Sequence, residues 1–219
     1  MKRELIDTVY EKFQYRKAKP IGNFKRSSVM ILLNKVGTNI NIIFEVRALT
    51  LKNQPGDVCL PGGKMEKGEK PLEAALRETV EELNIDKEKI KVIGQMDYFI
   101  SPYNFVMYPF VAIVEDIDIA PDKEEVDHVF EVPIEFFLEN SPTCYEIDIV
   151  PSITGDFPFS LIRNGKNYKF SKGTIPEYFY EYEGNVIWGF TALIVKNFID
   201  IIKDKKINKS ILNIPPTFN

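Results

Sequence analysis

The chain has 219 residues, 44% hydrophobic and 27% charged, with a formal net charge of −4. That length and composition suit one globular domain with a sizeable core. The acidic balance argues against a nucleic-acid backbone as partner, while leaving room for a local basic pocket that takes a small anion.

Apolar positions Leu5, Ile6, Val9, Tyr10 and Phe13 form a helical stripe over residues 1–15. The charges spread through MKRELIDTVY exclude the apolar core of a signal peptide. KAKPIGNFKRS then reads as a loop. SSVMILLN and NIIFEVR are strand-like runs separated by the turn-rich KVGTN, which predicts a hairpin. DVCLPGGKMEKGEKP begins as a short strand and becomes a glycine-rich loop. Pro71 suits the first turn of a helix that runs to about Leu83.

KIKVIGQMDYFI and VMYPFVAIVED read as two further strands, and FEVPIEFFLEN as a strand end feeding a short helix. Residues 141–187 are rich in Pro, Gly and Tyr, with several short strand candidates. WGFTALIVKNFIDIIKDK predicts a terminal helix with Ala192, Val195, Ile199 and Ile202 on one face. Mixed strands, one central helix and a packing helix at the end argue an α/β or α+β sandwich. The expected organisation is a single domain over 1–219, with 1–24 an N-terminal helix and extension and 25–204 the core. Cys59 and Cys144 form no disulfide framework and read as reduced thiols. No apolar run approaches the roughly 20 residues of a membrane span, and the C-terminal PPTFN carries no organelle address. A cytoplasmic protein with no membrane partner is expected.

The central helix carries the chemistry. At about 100° per residue, Glu82 lies near +40° and Glu81 near −60° of Glu78, so the three carboxylates share one arc. Small Ala74 and Ala75 lie on that face one turn earlier. Leu72, Leu76, Val80 and Leu83 fall opposite and form the expected core stripe. Like charges at this spacing repel one another along a helix. A divalent cation reverses that sign, and hard oxygen ligands suit Mg²⁺ or Mn²⁺. Arg77 points away from this arc, and an ion pair with Glu69 or Glu73 is its expected role.

Gly63, five residues, Glu69, seven residues, then Arg77-Glu78-Thr79-x-Glu81-Glu82-x-Asn84-Ile85 resembles the Nudix box. The usual glycine after the helix is Asn84, which also tolerates the left-handed conformation of a helix C-cap. The resemblance implies a Nudix fold, an α/β/α sandwich with a mixed sheet. It also implies hydrolysis of a nucleoside diphosphate linked to another group. Loss of box glutamates would mark a non-catalytic binding domain, but Glu69, Glu78, Glu81 and Glu82 are all present. By the resemblance, Glu78, Glu82, Glu81 and the Gly62 carbonyl are the candidate metal ligands.

The stretch FEVRALTLKNQPGDVCLPGGK resembles the coenzyme A diphosphatase branch of that family, through Arg47, Ala48, Lys52, Gly56 and Pro61-Gly62-Gly63. Glu45 stands where that branch has threonine, Lys52 where it has arginine, and Leu60 where it has phenylalanine. The implied reaction is metal-dependent hydrolysis of coenzyme A or acyl-CoA to 3′,5′-ADP and 4′-phosphopantetheine. The alternative is a substrate such as ADP-ribose or another nucleoside diphosphate derivative. Arg47, Lys52 and Lys64 are the candidate phosphate-binding residues. Candidates for the general base are Glu81 inside the box and Glu124 or Glu125 in the acidic loop PDKEEVDH. His128, the one histidine, reads as structural. Glu45 lies two residues from Arg47 on one strand face, where an internal ion pair with it is possible.

Overall fold

The computed structural model describes residues 2–115 and 117–204. Its elements, in chain order, are α1 (Lys2–Phe13), β1 (Lys25–Val36), β2 (Asn39–Arg47), β3 (Val58–Cys59), β4 (Gly62–Lys64) and α2 (Pro71–Leu83). After these come β5 (Lys91–Gln95), β6 (Phe99–Ser101), β7 (Phe105–Glu115), β8 (Val126–Pro133) and α3 (Ile134–Glu139). The described chain ends with β9 (Thr143–Ile149), β10 (Gly173–Tyr182), β11 (Asn185–Trp188) and α4 (Gly189–Lys203). Residues 205–219, PPTFN among them, lie outside the described residues. Among the described residues no helix is long and apolar enough to cross a membrane.

β1 and β2 form the expected hairpin, turning at Gly37 in the left-handed region. β1 also pairs with β7 in parallel along its length, and every other pairing in this sheet is antiparallel. The result is a mixed sheet of order β3-β2-β1-β7-β5, with β4 on β1, β6 on β7 and β8 on β2. Strand alternation sends two sets of side chains to two cores. Met30, Leu32, Ile43, Phe110, Ala112 and Val114 pack on the α2 side. Val29, Ile31, Leu33, Ile42, Phe44, Val46 and Val111 pack on the other, against Phe137 of α3 and Ala192, Val195, Phe198 and Ile199 of α4. This is the α/β/α sandwich with a C-terminal packing helix. A second antiparallel sheet, β11-β10-β9, gathers the strand candidates of 141–187 and joins the α4-side core through Tyr180 and Ile187.

Two local expectations are corrected. KIKVIGQMDYFI is not one strand: β5 ends at Gln95, and β6 starts at Phe99. The break lies opposite Pro109 of β7, whose carbonyl accepts from Met96 N–H but which has no N–H to return. Ile202 is 45% exposed, in the last turn of α4, whose buried residues end at Ile199. In α2, Leu72, Leu76 and Val80 pack with Leu83 on the expected core side; these three are half-buried, and Ala74, Ala75, Thr79 and Glu82 are buried as well. The face bearing two of the clustered glutamates is therefore the tighter one.

α1 forms, but from Glu4 to Asn23 every side chain is exposed, Leu5, Ile6, Tyr10 and Phe13 among them. Phe44, by contrast, is fully buried between the rings of Phe130 and Phe137. Deleting residues 4–16 removes no buried side chain, so unfolding free energy should stay within about 0.5 kcal/mol of the full chain. Phe44→Ala should cost about 3–5 kcal/mol. Urea unfolding of the two variants checks both, and a large loss from the deletion would mean that α1 docks on the body.

Candidate active site

The site begins with two glycines. Gly62 has φ +146°, and a Cβ there would lie 2.3 Å from the Ser28 carbonyl and 2.6 Å from Val29 Cα. Only glycine lets β4 pair with β1 at this point. A Cβ on Gly63 would lie 2.5 Å from the Glu78 carboxyl carbon. The β4 backbone therefore rests directly on the glutamate face of α2, an approach that fully buried Ala74 and Ala75 allow. Gly62 N–H donates to Glu82 Oε2 at 2.7 Å.

The helix ends hold this contact in place. Glu73 accepts from Lys70 N–H at the N-terminus, and Asn84 closes the C-terminus at φ 51°, the left-handed cap expected of it. Glu69 accepts from Glu66 N–H, and its two oxygens take Arg77 Nε and Nη2 at 2.9 and 3.1 Å. Of the two partners weighed for Arg77, Glu69 is the one it meets. Arg77 also reaches further than helix angles alone indicated. Nη1 sits 3.0 Å from Glu78 Oε1 and 3.1 Å from Glu81 Oε2, and Nη2 donates to the Lys64 carbonyl. One guanidinium thereby ties the loop to the helix.

Glu78, Glu82 and Glu125 each present an oxygen, all within 4.8 Å of one another. Glu125 arrives there because its loop is fastened at both ends. Asp122 N–H donates to the Glu82 carbonyl at 2.9 Å, and Ala48 N–H donates to the Glu125 carbonyl at 2.8 Å. Burial pushes Glu82 up to about 9, helped by repulsion from Glu45 and opposed by the Gly62 N–H. Glu45, 1% exposed on β2, is pushed up to about 7, again chiefly by burial. Its Oε1 accepts from the Cys59 thiol at 3.1 Å, and its Oε2 has no partner. Burial also raises Glu78, against the pull of Arg77.

A divalent cation fits these residues. Three carboxylate oxygens within 4.8 Å of one another are close enough that one hard divalent cation would meet all of them. The donors are hard carboxylate oxygens, and their mutual repulsion is what a cation relieves.

The other sequence candidates lie around this cluster. Glu81 is mostly exposed and shares its carboxylate with Arg77. Glu124 is exposed, its backbone N–H donating to Asp122 Oδ1. Lys64 lines a polar groove of about 1270 Å³ that reaches Arg77 and Glu78. Arg47, the last residue of β2, and Lys52, on the β2–β3 connection, are not among the residues lining that groove, and Arg47 Nε donates to the Asn53 carbonyl. His128 contacts Asp127 on the surface of β8.

The sequence reading passed over Lys25, Arg26, Lys67 and Tyr103, which also line the groove. Arg26 lies over the Tyr108 ring, 5.2 Å from its centroid. Its position two residues before Ser28, on the strand face that carries Met30, was the available signal.

Comparison with known proteins agrees with this geometry. The NUDIX domain model matches residues 24–143. A Nudix hydrolase of Photorhabdus laumondii is 30% identical over 151 residues, 68% of this chain and 70% of its own length. A peroxisomal coenzyme A diphosphatase of Mus musculus is 32% identical over 147 residues, 64% of this chain and 62% of its own. A peroxisomal coenzyme A diphosphatase of Caenorhabditis elegans is 30% identical over 52% of this chain and 51% of its own. The chain thus spans about half to seven-tenths of the length of these relatives. A solved MutT/nudix family structure from Enterococcus faecalis covers 96% of this chain and 73% of its own at TM-score 0.51 and 14% identity, a likeness of fold.

The buried carboxyls make stability depend on pH. A carboxyl whose pKa is higher folded than unfolded binds its proton more tightly in the fold. Its contribution is present below the ordinary value and is lost as pH rises through the raised one. In EDTA the thermal midpoint should therefore fall between about pH 5 and 9. Glu82→Gln should flatten that fall, and Mg²⁺ should stabilise the wild type increasingly as pH rises. A midpoint in EDTA that is level over this range, and unaltered in slope by Glu82→Gln, would contradict the assignment.

Proposed function

Because the chain belongs to the Nudix hydrolase family, we propose that the pyrophosphate bond it cleaves is the diphosphate of coenzyme A or an acyl-CoA. The products are 3′,5′-ADP and (acyl-)4′-phosphopantetheine. The observation that carries this reading is one continuous site. Three carboxylates converge within 4.8 Å, and Glu78 among them lines a groove that also holds Lys25, Arg26, Lys64 and Lys67. A diphosphate needs cations along its charged oxygens, and these basic groups stand beside the cluster. The Arg47-to-Gly56 stretch and the relatives named as coenzyme A diphosphatases support the choice of substrate.

A divalent cation, Mg²⁺ or Mn²⁺, supplies charge neutralisation and polarises the phosphate oxygens when bound. Glu78, Glu82 and the Gly62 carbonyl are the groups assigned to hold it, with Glu81 beside them. Water attacks one phosphorus, the bridging P–O bond breaks, and the departing phosphate keeps the electron pair. Glu125 is assigned the proton of that water. It belongs to the cluster and is fastened only through its backbone, which leaves its carboxylate free to accept. Glu81 shares its charge with Arg77, and Glu124 is outside the cluster, so both are weaker bases for this position. Lys64 and Arg26 face the diphosphate. Arg47 and Lys52 are assigned the 3′-phosphate, which ADP-ribose lacks.

Steady-state turnover tests the assignment. Glu125→Gln should lower kcat by about 10²–10⁴, with partial recovery at high pH, while Glu124→Gln stays near wild type. Coenzyme A should be preferred to its 3′-dephospho form and to ADP-ribose. Arg47→Ala should reduce coenzyme A cleavage about tenfold more than ADP-ribose cleavage, the worth of one charge-assisted contact. Preference for ADP-ribose would end the coenzyme A reading and leave the family assignment intact.

A further inference from the structure

We propose that an apolar cavity between β6, β10 and α4 receives the uncharged acyl tail of a coenzyme A thioester. This rests on the coenzyme A reading above and deepens it, since it makes acyl-CoA the preferred form of that substrate.

The cavity has a volume of about 240 Å³. Phe99 of β6 and Phe190 and Leu193 of α4 form its walls, and Ile175 of β10 closes it from the second sheet. Pockets that enclose drug-sized ligands measure about 300–1,000 Å³. This one is too small for a nucleotide, and its walls offer a phosphate nothing to bind. Its charged lining residues are the carboxylates Asp97 and Glu177, with no Lys or Arg among the described lining residues. They repel a phosphate, and equally a tail that ends in a carboxylate. An uncharged alkyl tail of several carbons suits both the size and the polarity of this space.

The cavity adjoins the catalytic groove. Phe190 packs against Phe99 of the cavity with ring centroids 5.2 Å apart, and against Tyr103 of the groove with centroids 6.3 Å apart. One ring therefore borders both spaces. Gly189, at φ +66°, turns the chain from β11 into α4 and brings Phe190 to that border. The sheet order sets the direction of the substrate. Arg47 and Lys52, assigned the 3′-phosphate, follow β2 on one side of β1, and the β6–β7 turn with Tyr103 lies on the other. With the diphosphate at Glu78 between them, the pantetheine arm leaves toward Tyr103 and Phe190. Ile175, Glu177, Phe190 and Leu193 all lie beyond residue 143, where the match to the NUDIX domain model ends. The second sheet and α4 thus add an apolar wall to the shared catalytic core.

Trp188, the one tryptophan, precedes Gly189 of the cavity lining, so its fluorescence reports occupancy. Titration with S-octanoyl-pantetheine and S-acetyl-pantetheine, which lack the diphosphate, should show at least about tenfold tighter binding of the octanoyl form. A tail of the same length ending in a carboxylate should lose that advantage. Leu193→Phe and Ile175→Phe enlarge two half-buried lining residues, and each should remove most of the octanoyl preference in protein whose thermal midpoint shows it folded. In turnover, KM should fall at least about tenfold from acetyl-CoA to octanoyl-CoA with kcat little changed, because this remote contact is the same in ground and transition states. Equal affinity for the two pantetheine thioesters would overturn the acyl assignment. So would a preference that survives both substitutions, or one indifferent to the terminal carboxylate. Tight octanoyl-pantetheine binding by protein that cleaves no coenzyme A thioester would end the coenzyme A reading and keep the cavity as an acyl site, so the two readings fail separately.

Discussion

The contact between the β4 backbone and the glutamate face of α2 is the constraint from which the site follows. Two glycines make it possible, one because its backbone conformation and the β1 strand exclude a side chain, the other because Glu78 occupies the space a methyl would need. Once the backbone lies that close, Glu82 is shut away from water and Gly62 N–H becomes its partner. The loop, the helix and the first strand are thereby joined in one unit. Arg77 reinforces the unit by gripping Glu69, Glu78 and Glu81 at once. The arrangement concentrates negative charge where solvent cannot dissipate it, so the scaffold itself creates a demand for a positive ligand.

Much of this was legible in the sequence, for identifiable reasons. The β1–β2 hairpin and α4 are long, strongly patterned segments in which periodicity dominates. The glycines, glutamates and arginine of the box carry their own spacing, and Asn84 announced a left-handed cap. What stayed hidden depended on partners distant in sequence. The break between β5 and β6 is set by Pro109 across the sheet, which a local pattern does not reveal. The order of β9, β10 and β11 follows from pairing alone. The half-exposure of Leu72, Leu76 and Val80 depends on how α2 sits against β1 and β4, and angles around a helix do not supply that. Arg26 stands at the polar start of β1 and joins Lys64 and Glu78 in one groove only after folding.

The two faces of the sheet divide the labour. The α4 side is aromatic and aliphatic, with Phe44, Phe130, Phe136, Phe137 and Tyr180 in ring contact, and it supplies rigidity by dense packing. The α2 side carries a smaller apolar core, and at its edge the buried carboxyls oppose folding in the absence of a counter-ion. Stability gained on one face offsets charge gathered on the other.

The acidic loop is held by main-chain hydrogen bonds alone at its two anchor points, from Asp122 to the end of α2 and from Ala48 to Glu125. Neither anchor consults a side chain. Mutation can therefore exchange the residue delivered to the cluster, or slide the acidic pair by one place, while the loop keeps its path. Chemistry at this corner is free to drift across generations at little cost to folding, whereas the glycine corner opposite tolerates almost no drift.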